Sequence, residues 1–256
     1  MKRTGSKVIR VALSGAAGRM GRRVGAALAG RPGVRLEWGI LRRLPPPREE
    51  AAAGLPPKLT QKAAEALREV DVAVDFSRPP AALALARACA RLGRPLLVGT
   101  TGFGERERKA LAACAQKIPL LYAPNLTRGM NAVFEAAERM AARLGAGYDA
   151  RVLGIHHGKK KETPSGTSSE LARRVAAGRG GGGRLRGGAS APSITTILMG
   201  GTLGEHKVFF ANANEEIEIS HRVTRPEVDP EVLAAALRFL LKSPPGFYGL
   251  DDVLRG

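Results

Sequence analysis

The chain has 256 residues, enough to bury a substantial core in one large domain or two of ordinary size. Hydrophobic residues make up 44% and aromatics only 4%, which suits helices packed on a sheet and excludes an aromatic-rich β sandwich. The net charge of +18 favours anionic partners, but the basic residues are dispersed, with no interleaved stacking groups and no helix-turn-helix or zinc-finger spacing, so no nucleic acid is expected as a specific partner.

The opening stretch MKRTGSKVIRVAL is basic and then apolar over too few residues for a secretory signal. No run of about 18 apolar residues exists to span a bilayer, so a cytoplasmic protein without a membrane partner is expected. Residues 7–13 form a β-branched run that ends at a glycine-rich turn, and apolar residues at helical spacing follow it. Residues 34–41 read as a second strand, and residues 42–58 as a Pro-rich surface connection. A short helix (61–70) leads to the strand VAVDFS (72–77). Helix, strand, helix and strand then alternate through PLLYAPN (119–125). Cys89 and Cys114 each sit in an Ala-rich helical stretch without a metal-ligating neighbour, so buried free thiols are expected and no metal.

Strands separated by helices of this length imply a doubly wound parallel sheet with helices on both faces, ending near residue 126. A helix (130–145), a strand (149–157), a helix (167–178) and three strand-like segments up to residue 223 predict a smaller α+β domain. Thr167 is the expected N-cap of its helix, with Glu170 completing a capping box. The glycine-rich residues 178–190 cannot bury apolar surface and read as a mobile loop. The last helix follows Asp229 as N-cap and Pro230 as its first residue. The expected domains are 1–126 with 226–256, and 127–225.

GAAGRMG (15–21) places glycines between a strand and a helix, where a tight turn, close backbone approach and a helix N-terminus suit a pyrophosphate. Arg19 adds a guanidinium there. An acid at the end of the second strand would bond a ribose 2′-hydroxyl; the sequence instead has Arg42 and Arg43, which predicts NADPH as the preferred cofactor, with NADH possible. VGTTGF (98–103) and APNLTRGMN (123–131) lie at the carboxyl ends of predicted parallel strands, where ligands bind in open α/β sheets, although the same residue types form ordinary turns. HHGKKKETPSGTS (156–168) gathers two histidines and three lysines ahead of a helix start at Ser165, Gly166 and Thr167. This loop can move protons and bind a carboxylate; the alternative is a solvated basic loop.

GAAGRMGR, VDFSRP, VGTTGF, APNLTRGMN, HHGKKKETPSGT, GEH (204–206), EISHR (218–222) and GLDDVL (249–254) occur in one order along the chain. Over nearly its whole length the chain thereby resembles the 4-hydroxy-tetrahydrodipicolinate reductase family, also called dihydrodipicolinate reductase. The resemblance implies a two-domain homotetramer that uses NADPH or NADH to reduce a cyclic imine dicarboxylate to tetrahydrodipicolinate, on the diaminopimelate route to lysine. It implies His156 as proton donor or acceptor, Lys160 as second proton donor, and His157, Ser165, Gly166 and Thr167 as substrate contacts. Gly15, Ala16, Ala17, Gly18, Arg19, Met20, Gly99, Thr100, Thr101, Ala123, Pro124, Asn125 and Leu126 correspond to dinucleotide contacts, and Arg42 to an NADPH phosphate contact. The chain departs from the family at Gly154, where an acid is common, at Leu198, where an Arg is usual, and in a shortened segment at 221–230. Other readings of the same fold are a different nicotinamide-dependent reductase of amino-acid-derived imines, or a dinucleotide-binding protein without activity.

Overall fold

The computed structural model describes residues 8–46, 55–180, 191–225 and 228–255. The chain divides into two compact units, one holding the residues up to Leu126 with the C-terminal segment, the other running from Thr127 to Pro226.

In the first unit the strands are β1 (Ile9–Ser14), β2 (Val34–Ile40), β3 (Lys58–Thr60), β4 (Val72–Asp75), β5 (Leu96–Val98), β6 (Pro119–Tyr122) and β11 (Gly246–Gly249). They form one parallel sheet in the order β11-β6-β5-β4-β1-β2-β3. Side chains alternate across the pleat. Val11, Leu13, Val72, Val74, Leu97 and Leu121 therefore enter the core beneath α1 (Arg19–Leu28) and α7 (Pro230–Lys242). Ala12, Ala73, Leu96, Val98 and Leu120 enter the opposite core, beneath α2 (Ala63–Glu69), α3 (Pro79–Leu92) and α4 (Glu105–Ala115). Sequential strands joined by helices produce this double layer, and the expected parallel sheet with helices on both faces is what forms.

At the start of α7 the Asp229 side chain accepts from the amides of Glu231 and Val232, and Pro230 is the first helical residue, as expected of an N-terminus of this type. Cys89 and Cys114 are buried and free. Of the predicted connection 42–58, residues 47–54 lie outside the described residues, and its last residue, Lys58, opens an unpredicted edge strand, Lys58–Thr60, beside Trp38–Ile40. Three residues are too few to carry a period. The same holds for β11, four residues between prolines and a terminal turn of helix, α8 (Leu250–Leu254).

The second unit holds α5 (Arg128–Leu144), β7 (Asp149–His156), α6 (Gly166–Gly178), β8 (Ser193–Leu198), β9 (Glu205–Ala211) and β10 (Glu216–Arg222). Its mixed sheet has the order β10-β9-β7-β8, with β7 parallel to β8 and antiparallel to β9. Ala150, Val152, Val208 and Phe210 pack beneath α5 and α6 against Phe134, Leu171 and Val175. The start of α6 corrects the expected cap. Ser165, not Thr167, is the N-cap, and its hydroxyl accepts from the Ser168 amide at 3.0 Å. Glu170 makes no capping box; it is buried and its carboxylate is bonded by Arg173 at 2.8 and 2.6 Å and by Arg174 at 3.2 Å. A buried carboxylate between two guanidiniums is held far more firmly than one reaching back to an amide. Most of the predicted glycine loop, residues 181–190, lies outside the described residues. Among the described residues no helix is long and apolar enough to cross a membrane.

Candidate active site

In the first unit the segment between β1 and α1 is a tight cradle. Gly15 adopts φ +75°, a conformation that side-chain-bearing residues rarely take, and a Cβ there would strike the Phe76 carbonyl. Gly21, one turn into α1, lies so close to Gly15 that its Cβ would collide with the Gly15 carbonyl. The Gly18 amide donates to the Gly15 carbonyl at 2.9 Å, and the first intrahelical bond runs from the Arg22 amide to the Gly18 carbonyl at 2.9 Å. The amides of Arg19, Met20 and Gly21 thus have no partner one turn back, as at any helix start. Gly18, Arg19 and Met20 are exposed beside them. A cradle that any Cβ would fill, next to open amides at the positive end of a helix, fits a dinucleotide pyrophosphate. Gly21→Ala should weaken NADPH binding more than about tenfold, since backbone must move to admit the methyl; titration of NADPH fluorescence checks it, and an unchanged Kd would remove the cradle.

Not every residue named from the sequence can contribute its side chain. Ala16, Ala123 and Leu126 are buried in the core, which leaves only their main-chain atoms for a ligand. The Thr100 hydroxyl donates to Asp75 at 2.5 Å. Gly99 packs so tightly on the Phe76 ring that no Cβ fits, and Thr101, Pro124 and Asn125 are half-buried. Arg42 is exposed just past β2, and its carbonyl accepts from the Gln61 amide side chain at 2.8 Å. The Gly15 amide donates to the Ile40 carbonyl at 3.0 Å, so the cradle and the arginine-bearing loop share an anchor.

In the second unit β7 ends at His156, which is buried. Its carbonyl accepts from the Met199 amide at 2.8 Å, the Gly158 amide donates to the Gly200 carbonyl at 3.1 Å, and the Lys160 amide donates to the His157 carbonyl at 3.1 Å. The basic loop is therefore a braced turn, with His157 and Lys160 half-buried in it. Burial first, then the charges of Lys160 and His157, push the His156 imidazole down to about 4. At neutral pH it carries no charge.

His206 adjoins it, with Gly154 and His221 on either side of His206 in the sheet. His206 on β9 lies with its ring centroid 5.1 Å from that of His156, edge to face, and burial together with His156, His221 and Lys160 pushes it down to about 3. Its Nε2 is 3.3 Å from the Ser165 hydroxyl, which also lies 2.8 Å from the Ser168 hydroxyl. Gly154 pairs directly with His206, and His206 with His221, across the sheet. A Cβ at Gly154 would be 2.5 Å from the Ser168 hydroxyl and 3.3 Å from His156 Nε2. The missing side chain is what admits the serine pair beneath the imidazoles, and an acid at this position has no room. Sequence spacing gives no hint of these contacts, since register alone brings residues 154, 206 and 221 together. Among the described residues no group of His, Cys, Asp or Glu is arranged to hold a metal ion.

The chain matches known proteins over nearly its whole length. Residues 9–126 match the family described as dihydrodipicolinate reductase, N-terminus, and residues 129–254 the one described as dihydrodipicolinate reductase, C-terminus. A 4-hydroxy-tetrahydrodipicolinate reductase of Anaeromyxobacter dehalogenans is 35% identical over 96% of this chain and 97% of its own, and one from Aromatoleum aromaticum is 35% identical over 96% and 95%. A solved dihydrodipicolinate reductase with bound dipicolinate, from Paenisporosarcina sp. TG-14, shares the fold with a TM-score of 0.71 at 19% identity, covering 96% of this chain and 99% of that one. With both halves of the family matched in order over nearly all of its length, the chain belongs to the dihydrodipicolinate reductase family.

Proposed function

We propose that this chain reduces 4-hydroxy-tetrahydrodipicolinate to tetrahydrodipicolinate in diaminopimelate and lysine biosynthesis, with NADPH preferred over NADH. The observation that carries the reading is the braced basic loop, in which neutral, buried His156, His157 and Lys160 precede the capped start of α6. Replacing a hydroxyl by hydrogen consumes a hydride and a proton and releases water. A nicotinamide, when bound, supplies the hydride. The chain supplies the rest. The substrate is a dianion, and Gly166 and Thr167 at the positive end of α6, with His157 and Ser165, are suited to one of its carboxylates. Lys160 is the proton donor, because His156 is a neutral imidazole at neutral pH and has no imidazolium proton to give. His156 serves as a neutral hydrogen-bonding group that accepts a proton or orients the substrate.

The first unit is the dinucleotide-binding domain, with Gly15 to Met20 at the pyrophosphate and main-chain atoms of Gly99 to Thr101 and Ala123 to Leu126 toward the nicotinamide. Arg42 favours a 2′-phosphate. Arg42→Ala should lower kcat/KM for NADPH about tenfold and leave that for NADH unchanged; a wild-type preference for NADH would sink this assignment. The second unit is the substrate and oligomerisation domain. The sheet face turned away from α5 and α6 carries Ile197, 42% exposed, with Leu153, Ile155 and Phe209 half-buried, and apolar area of this kind supports a homotetramer. Light scattering of the wild type and of Ile197→Asp tests it, with smaller species expected for the variant. Buried free thiols and a reduced dinucleotide suit a cytoplasmic setting.

The decisive experiment is NADPH oxidation in a coupled assay that makes the unstable substrate from pyruvate and aspartate semialdehyde. Turnover that requires both precursors supports the reading, and none at any protein concentration ends it. Dipicolinate, held by the Paenisporosarcina relative, should inhibit competitively.

A further inference from the structure

Asp75 ends β4, the middle strand of the parallel sheet, and is wholly buried. Its direct cross-strand neighbours are Ser14 and Val98, and the rest of that layer, including Ala12 and Ala73, is apolar. Burying a carboxyl among such neighbours is costly, and a small apolar residue would serve packing alone at lower cost. What the carboxyl adds is direction. The Ser77 hydroxyl donates to it at 2.6 Å and the Ser77 amide reaches it at 3.5 Å, the Thr100 hydroxyl donates at 2.5 Å, and the Ser14 hydroxyl is a further donor. Each donor stands where a different loop leaves the sheet. Ser14 is the last residue of β1 and precedes Gly15; Ser77 follows β4; Thr100 lies two residues past β5, inside the Gly99–Thr101 loop.

The next residue reinforces the arrangement. Gly15 abuts the Phe76 carbonyl and Gly99 abuts the Phe76 ring, both so closely that neither position admits a Cβ. Two separate glycine loops are therefore set against the same dipeptide. Burial raises the proton affinity of Asp75 and the hydroxyl bonds oppose that rise.

We propose that Asp75 is a positioning residue for the dinucleotide site, clamping the loops that leave β1, β4 and β5 and, through Thr100, fixing the loop on the nicotinamide side. The inference rests on the reading of these loops as a nicotinamide dinucleotide site. Nothing in the reaction uses Asp75 directly; it acts on the ligand only through the loops it holds.

The test measures Kd for NADPH and for 2′-phospho-ADP-ribose, which keeps the pyrophosphate and both riboses but lacks nicotinamide. Thr100→Val, nearly isosteric, removes one donor and should weaken NADPH about five- to tenfold while moving the nicotinamide-free ligand less than about twofold. Asp75→Asn, which leaves one acceptor oxygen for the Ser77 and Thr100 hydroxyls together, should weaken NADPH at least as much, and Thr100→Val should add little in its background, since the tie is already loosened. A Thr100→Val protein that binds NADPH like wild type, or that weakens both ligands equally, overturns the clamp; so does full additivity of the two changes. If Asp75→Asn fails to fold, the Thr100→Val comparison decides alone. Wild-type protein that binds neither NADPH nor NADH would instead overturn the functional reading on which the clamp depends.

Discussion

Lys160→Met is expected to lower kcat by about two to four orders of magnitude while Kd for NADPH stays within about twofold of wild type. The expectation follows from the division of labour inside the basic loop. The proton consumed when hydrogen replaces the hydroxyl must come from an acid that is still in its protonated form near neutrality, and the imidazolium of His156, pushed down to about 4, is not populated there. Its imidazole is buried, placed in the field of the Lys160 ammonium and set edge-on against a second neutral imidazole. No carboxylate stands at position 154 to raise its proton affinity, and the serine pair fills the space one would need. His156→Asn keeps a neutral hydrogen-bonding group and should therefore cost less in kcat than Lys160→Met. The order of the two variants is the informative result. If His156→Asn abolishes turnover and Lys160→Met does not, the roles are reversed. A second consequence is that log kcat should show no inflection from His156 between pH 5 and pH 8, because the group is deprotonated throughout that window.

The layers of the first unit are legible in the sequence because each buried strand is a short apolar run and each helix carries apolar residues three and four apart, as in Ala82, Leu85, Ala86 and Cys89 of α3. The phosphate cradle is legible for a related reason, since Gly15 and Gly21 answer to local geometry that only a missing side chain satisfies. The cap of α6 falls at Ser165, two residues before the expected Thr167. Ser165, Thr167 and Ser168 are all capable caps, and only the chain's entry angle selects the first. The polar networks were not legible at all. Asp75 receives its bonds from residues 14, 77 and 100, and His206 meets His156 and Ser165 through sheet register. Such contacts depend on which strands become neighbours and at what offset, information that periodicity does not carry.

That unforeseen histidine pair also sets how the protein should respond to acid. His206 is buried at 4% exposure and pushed down to about 3, chiefly by loss of hydration. In the unfolded chain it titrates near its ordinary value of about 6.5. Between these two values the unfolded state binds a proton that the folded state refuses, so stability falls as pH drops below about 6.5 and the loss continues down to the folded value. At pH 5 the penalty from His206 alone is about 2 kcal/mol, and His156 adds to it in the same direction. Against a typical total of about 5 to 15 kcal/mol, this is a substantial share. Asp75 works in the opposite sense, because burial raises its proton affinity and acidification relieves that cost; the lowered carboxyl of Glu205, held by Arg222, matters only below the ordinary carboxylate range. His206→Phe isolates the histidine contribution, since Asp75 and Glu205 are common to both proteins. Urea unfolding at pH 8 and pH 5 should show wild type losing about 2 kcal/mol more than the variant. Equal losses would mean that His206 is protonated in the folded state, and the assignment of Lys160 as sole proton donor would lose the neutral imidazole pair that supports it.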